Sequence, residues 1–202
     1  MTEKIGADNA GVDDVRSQVR RRDRGKDDAW VRAFMKEAPY GFLATVGEEG
    51  QPYVNSNIFV YDADRHCIYL HTHRIGRTRD NIENSEKVAF CVAMMGRLLP
   101  ADEALEFSVE YSGVSAYGLG RVVEDPDEAK AALQMLLDKY APHLRPGRDY
   151  RATTDEELTR TAVYRVDVET WSGKQKEVEP DFPGAFALPP FPVPFPGQSP
   201  TE

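Results

Sequence analysis

The chain has 202 residues, enough for one domain with its own core. Its 34 acidic residues against 25 basic ones give a formal charge of −9, which repels duplex phosphates and anionic lipid headgroups, so neither nucleic acid nor a membrane surface is expected as a partner. No apolar run reaches the ~20 residues a bilayer span needs, and the opening MTEKIGADNAG lacks an apolar signal core, which points to a cytoplasmic protein.

Residues 1–27 balance acids against bases and bury almost nothing, as a mobile charged arm would; their dense feature is the run Arg20–Arg21–Arg22–Asp23–Arg24. From Asp28, Trp30, Val31, Phe34 and Met35 recur at a helical period until Pro39. GFLATV (41–46) and PYVNSNIFVY (52–61) flank GEEGQ, whose Gly47 and Gly50 can take a turn's positive φ, so they read as a hairpin. Asp62–Ala63–Asp64 supplies a turn into a third strand, Cys67 to Thr72. A short helix over Thr78–Asn84 precedes the apolar strand Lys87–Met94, and Phe107–Val123 is a long strand whose Gly113, Gly118 and Gly120 suggest bulges or bends. Asp125–Pro126–Asp127–Glu128 is a helix start, and Ala129, Leu133, Leu136, Leu137 and Tyr140 form the stripe that follows. A closing strand runs from Ala162 to Trp171. Cys67 and Cys91 both sit in apolar strands and are expected to be buried, reduced thiols. This order predicts a mainly β protein with helices: a small, mostly antiparallel barrel of six strands, over residues 28–176. Residues 177–202 form a Pro/Phe-rich tail that cannot continue a helix or a central strand. It is expected either to dock in extended form on an apolar groove, its own or a partner subunit's, or to serve as a ligand for another protein.

The stretch IYLHTHRIGRTRDNI (68–82) carries the chemistry. By strand parity Ile68, Leu70 and Thr72 share one face and Cys67, Tyr69, His71 and His73 the other; with the aliphatic set inward, the histidines point into a groove or an interface. Gly76 then breaks the strand, and Arg77–Thr78–Arg79 opens a helix whose free amides, hydroxyl and guanidinium groups suit an anion, a phosphate ester above all. Asn55–Ser56–Asn57 places short polar side chains mid-strand against propensity, as ligand contacts often require. The histidines admit three readings: unremarkable strand residues, a metal pair, or one edge of a site for a phosphate-bearing planar cofactor. The metal reading lacks a third ligand at a telling spacing, so no metal is assigned.

These residues, with the Arg21, Arg22 and Arg24 leader, the Gly76–Arg77 step and the Trp171–Ser172–Gly173–Lys174 ending, resemble the FMN-binding split barrels related to pyridoxamine 5'-phosphate oxidase, and within them the nitroimidazole-resistance proteins. Gly113, where that group commonly has serine, and Thr78, where many members have lysine, depart from the pattern. The resemblance implies a homodimeric split barrel with FMN in the cleft between subunits, or a deazaflavin or haem in its place. It implies that Asn55, Ser56, Asn57, His71, Thr72, His73, Gly76, Arg77 and Thr78 hold the cofactor, with Trp171 and Lys174 lining it from the same or the partner subunit. It further implies reduction of a small aromatic nitro compound, with His71 as polar anchor or proton donor. A flavin-binding protein without turnover is the alternative. No dinucleotide fingerprint accompanies these motifs, since Gly118 and Gly120 lie mid-strand.

Overall fold

The structure is a computed structural model describing residues 14–187. Those parts of the charged arm and of the tail that fall in residues 1–13 and 188–202 lie outside the described residues. The elements in chain order are β1 (Gly25–Lys26), α1 (Asp28–Glu37), β2 (Gly41–Val46), β3 (Pro52–Asn57), β4 (Val60–Asp62), β5 (Cys67–His73), α2 (Arg77–Asn84), β6 (Lys87–Leu99), β7 (Ser108–Val122), α3 (Pro126–Tyr140), α4 (Asp155–Leu158) and β8 (Thr161–Lys176). The strands form one antiparallel sheet in the order β3-β2-β6-β7-β8-β5-β4, with β1 added on β8.

Eight strands are present among the described residues where six were expected, for two physical reasons. The run 52–61 is not one strand: at Phe59 the backbone turns to α3, its N–H donating to the Tyr140 hydroxyl (3.1 Å) and its carbonyl accepting from Tyr140 (3.0 Å) and Lys139 (3.1 Å). β3 and β4 therefore end up at opposite edges of the sheet. The second reason is the arm, whose residues 14–27 lie along β8 and add a short strand to it. Gly25 and Lys26 pair with Lys174 and Gly173, Arg16 meets Glu169 at 2.7 Å, and Ser17 is buried. The arginine run is tied as well, Arg21 to Asp23 at 2.6 Å and Arg24 to the Tyr111 hydroxyl at 3.1 Å.

Strand alternation divides the apolar residues between two cores. Leu43, Ile68, Leu70, Phe90, Val92, Ala116, Tyr164 and Val166 fill the curl of the sheet, and Val31 and Met35 of α1 pack into it. The opposite face of β5 carries Cys67 and Tyr69, which lie with Val60 and Val163 beneath Ala129, Ala132 and Leu136 of α3. The outward face of β5 is thus covered by a helix over most of its length, and only its end is left to a groove. Asp125 caps α3 through the Asp127 N–H (3.0 Å), with Pro126 at the first position as the sequence predicts. Glu128, one turn in, accepts from the Tyr69 hydroxyl (2.7 Å) and from Arg165 (3.1 Å) and so pins the helix to the sheet. Burial opposes the Glu128 charge, but these donors more than offset it and lower its pKa.

Both cysteines are free, but only Cys67 is buried; Cys91 stands exposed on the outer side of β6, opposite Phe42 and Ser115. Of the hairpin glycines, Gly50 alone takes positive φ (76°). Gly118 marks the register shift between Tyr117 and Gly118 in the β7–β8 ladder, as expected of a bend, and a Cβ there would overlap the Asp167 carbonyl. The first part of the tail docks on its own body. Arg97 pairs with Glu110 (2.7 Å) and donates to the carbonyls of Val178 (3.1 Å), Glu179 (3.1 Å) and Pro180 (2.9 Å), while Leu98 and Phe186 exchange backbone hydrogen bonds of 2.8 and 3.1 Å. The Arg97 guanidinium and the Val178 N–H hold Glu110 down at a pKa of about 2.

Two outcomes follow from this packing. Gly118→Ala forces two strands apart and is expected to destabilise the fold by about 1–3 kcal/mol in urea unfolding. A depressed carboxylate pKa stabilises above the ordinary carboxylate range and is lost as pH falls through the folded value, so the Glu110 clasp is expected to hold until about pH 2. Glu110→Gln should speed amide exchange over residues 178–186 at neutral pH while leaving β7 and β8 protected.

Candidate functional site

The start of α2 and the middle of β3 meet at one corner of the sheet. Gly76 precedes the helix at φ 151°, a conformation side-chain-bearing residues rarely adopt, and its carbonyl accepts from the Arg79 and Asp80 N–H groups (3.0 and 3.2 Å), which leaves the Arg77 and Thr78 amides as the first-turn donors. Thr78 is buried, and its hydroxyl accepts from the Asn55 amide at 3.3 Å. The Arg77 guanidinium lies over the Tyr53 ring, 4.8 Å from its centroid. Asn57 donates to the Asn55 carbonyl (3.2 Å), and Asn81 donates to Thr45 (2.9 Å), which locks α2 to β2 from behind. Tyr53, Asn55 and Asn57 share the half-buried side of β3, whereas Ser56 pairs with Phe42 and points to the exposed outer side. The predicted Asn55–Ser56–Asn57 set is therefore split by strand parity. Tyr53 is a corner residue that sequence reading missed, although it has the same parity as Asn55 and Asn57 and that signal was available. A cleft of about 300 Å³ beside the corner brings Arg77 together with Glu48, Glu49 and Asp80, so carboxylates partly offset the guanidinium.

The remaining predicted residues lie elsewhere. Thr72 is on the core side of β5, bonded to the Tyr164 hydroxyl at 3.1 Å. His73 is exposed, and its Nδ1 accepts from the Ile75 N–H (3.2 Å), which shapes the turn into Gly76. Trp171 packs at the α1 end, its indole donating to Asp28 (2.8 Å) and its ring 4.5 Å from that of His66. Asn55 and Trp171 belong to one rung, through Leu43, Phe90 and Ala116, but four strand spacings separate them, about 19 Å along the sheet. Lys174 pairs with Gly25 and Gly113 farther along β8. Within one chain, neither Trp171 nor Lys174 contacts the corner.

His71 is half-buried in a separate groove of about 480 Å³ between α3, α4 and the end of β5. Leu133, Leu136, Leu137 and Tyr140 form one wall with Ile58 beside them; Arg151, Glu157 and Arg160 form the other. The His71 Nδ1 is buried without a hydrogen-bond partner among the described residues, and burial lowers the pKa of the ring. Residues 151–160 are absent from the sequence expectations, yet Thr154 and Glu157 form a capping box that their spacing makes legible.

The family model described as pyridoxamine 5'-phosphate oxidase matches residues 27–175, from the arm's last residue to near the end of β8. The chain belongs to the pyridoxamine 5'-phosphate oxidase family. No curated protein matches it. Among solved structures it is similar to the flavocytochrome Anf3 from Azotobacter vinelandii, with TM-score 0.72 and 22% identity over 93% of this chain and 92% of that one. It is also similar to an FAD- and haem-binding protein from Mycobacterium smegmatis, with TM-score 0.69 and 20% identity over 87% and 91%. A Bacteroides thetaiotaomicron protein named for 5-nitroimidazole antibiotic resistance gives TM-score 0.61 and 21% identity over 75% and 89%. At such identities these likenesses establish the fold: the curled antiparallel sheet is a split barrel of the pyridoxamine 5'-phosphate oxidase family. In this family member no helix among the described residues is long and apolar enough to cross a membrane.

The corner is tied together across elements by the Asn55–Thr78 hydrogen bond. Thr78→Val removes the acceptor and leaves the Asn55 amide unpaired, so urea unfolding is expected to show a loss of about 1–2 kcal/mol.

Proposed function

We propose that this chain is a flavin-binding oxidoreductase whose flavin phosphate sits at the α2 corner. The observation that carries the reading is the convergence of Arg77, the buried Thr78 and Asn55 on the first turn of a helix entered through Gly76. The residues fit the group. First-turn amides, a guanidinium and a side-chain amide are donors that a phosphate accepts from, and the polar side of β3 leads away from them for the ring. FMN, with one phosphate, matches one such corner. When bound, the flavin supplies the redox chemistry. The chain's own residues do the rest: Arg77 and the α2 amides neutralise the phosphate, Asn55 and Asn57 orient the ring edge, and Tyr53 holds the guanidinium in place. Arg77 must outweigh Glu48, Glu49 and Asp80, which favours a weak, exchangeable cofactor over a permanently held one.

The expected substrate is a small aromatic nitro compound, a reading that the Bacteroides likeness supports at the level of fold. A homodimer completes the site in this reading. The outer side of β2 and β3 exposes Phe42 (37%) and Val54 (60%), an apolar face suited to a second copy. Trp171 and Lys174 reach a flavin only from the partner across such an interface. The reading makes no use of His71, which no corner residue touches.

Flavin titration followed by fluorescence quenching tests this. The native chain is expected to bind FMN saturably, and Arg77→Ala or Asn55→Ala to weaken binding about tenfold to a hundredfold, the worth of one charge-assisted hydrogen bond. Native protein that leaves flavin fluorescence unchanged, or variants that bind as the native chain does, would remove the flavin from this corner. The same spectra separate FMN from a deazaflavin.

A further inference from the structure

We propose that Tyr61, with His66 as its proton acceptor and Trp171 as its link to the surface, is a redox-active residue that traps single-electron oxidants. The cluster is complete within one chain and uses no residue of the α2 corner, so this function does not rest on the flavin reading.

Three features select that chemistry. The first is the backbone of the histidine. Among the described residues, His66 is the one side-chain-bearing residue at positive φ (52°), in the turn between β4 and β5 where the Asp62 carboxylate accepts from the Asp64 and Arg65 N–H groups (3.0 and 3.1 Å). Glycine or asparagine takes that conformation more readily, so the turn alone does not call for an imidazole. The second is the direction of its hydrogen bond. Arg32 donates to the Tyr61 oxygen at 2.8 Å, and the phenol has no other acceptor among the described residues, so its own proton is directed to His66 Nδ1 at 2.8 Å. Burial pushes the Tyr61 phenol up to about 12, while burial and then the Arg32 charge, opposed by Asp28, lower the His66 pKa and favour the uncharged ring. The third is the indole. The Trp171 ring meets the His66 ring edge-on, with centroids 4.5 Å apart at 89°, and lies 5.4 Å from the Tyr61 ring, itself part of a residue only 4% exposed. Trp171 is partly buried, so a single indole joins Tyr61 to the surface. Its N–H donates to Asp28 (2.8 Å), and the Arg32 guanidinium stands 5.3 Å over its ring, where it disfavours a positive charge that stays on the indole and passes that charge inward to Tyr61.

A purely structural tie leaves these features unused. Tyr69 and Tyr164, also buried, are tied by Glu128 (2.7 Å) and by the Thr72 hydroxyl (3.1 Å). A carboxylate of lowered pKa and a hydroxyl are weak bases, whereas an imidazole takes up a proton near neutrality. The step balances within the cluster. A one-electron oxidant of the peroxyl-radical or metal-complex class takes an electron from Trp171, and Tyr61 refills the indole. As that electron leaves, the phenolic O–H bond breaks and an N–H bond forms at His66 Nδ1, giving a neutral tyrosyl radical beside an imidazolium. An electron from a thiol or an ascorbate-type donor, with the proton returned from His66, restores the phenol. The net change is one electron carried from donor to oxidant.

The test is flash oxidation of the full-length chain by photogenerated ruthenium(III) tris-bipyridine, read by transient absorbance and by electron paramagnetic resonance. A long-lived neutral tyrosyl signal is expected, and Tyr61→Phe should remove it; persistence of the signal in that variant would overturn the proposal. Its formation should slow as pH falls through the His66 pKa, because an imidazolium cannot accept the phenolic proton. Tyr61→Phe also breaks the tie to α1, so His66→Asn is the second variant. Asparagine suits the positive φ, and the urea midpoint is therefore expected to hold. Without its proton acceptor the signal should nevertheless form about tenfold more slowly, the effect on a barrier of one lost hydrogen bond, and should lose its pH dependence. Equal rates in the native chain and His66→Asn, or a loss of stability with no change in rate, would leave Tyr61 and His66 as a structural tie and overturn the redox role. Trp171→Phe should slow formation while keeping the pH dependence, and an unchanged rate would remove the indole from the route. Flavin fluorescence reports the α2 corner separately in the same samples, so failure of one reading cannot pass for failure of the other.

Discussion

Strand β8 hydrogen-bonds along one edge to β7, from Tyr111–Lys176 to Val122–Tyr164, and along the other to β5, from Cys67–Asp167 to His73–Thr161. A strand shared in this way must have both of its faces covered, and two different materials cover them. On the inside Ala162, Tyr164, Val166 and Val168 join the filling of the curl; on the outside Val163 joins the core under α3. Next to Val163 on that outer side, Arg165 and Asp167 are charged and serve as attachment, bonding each other and, through Arg165, Glu128 of α3. The bend at Gly118 lets β7 follow β8 closely enough for the curl to form. Corner and groove are both by-products of this shared strand. The corner forms where the sheet ends at β3, and the groove where α3 outruns the outer face of β5.

That layout places two chemically different clefts at different margins of one sheet. The α2 corner is polar and mixed in charge, with Arg77 facing three carboxylates. The groove is apolar on one side and lined by Arg151, Glu157 and Arg160 on the other, with the half-buried His71 imidazole inside. Nothing on a face of β5 itself distinguishes them; the difference comes from which element lies over each end, α2 or α3. A single strand-to-helix turn, His73 through Gly76, separates them along the chain.

Much of this was legible from residue order. The α1 stripe, the Asp125–Pro126 helix start and the bend at Gly118 all rest on local rules of period, capping and turn chemistry, which act over a few residues. The family resemblance rested on the same short-range features. What was not legible depends on contacts distant in sequence. The break at Phe59 follows from Lys139 and Tyr140, some eighty residues on. The placement of residues 14–27 follows from β8, and the exposure of Cys91 from which side of β6 is left uncovered. His71 shows the limit most clearly: parity correctly turned it away from the core, but parity cannot say whether a helix, a second subunit or water lies on that side.

The Arg97–Glu110 clasp also makes one ion pair answer for two parts of the fold. Three carbonyls held on one guanidinium, followed by the Leu98–Phe186 pair, fix residues 178–186 beside the β6–β7 hairpin. The same guanidinium bonds Glu110 across β6 and β7. The clasp therefore works as a fastener: whatever loosens that hairpin also releases the segment that follows β8.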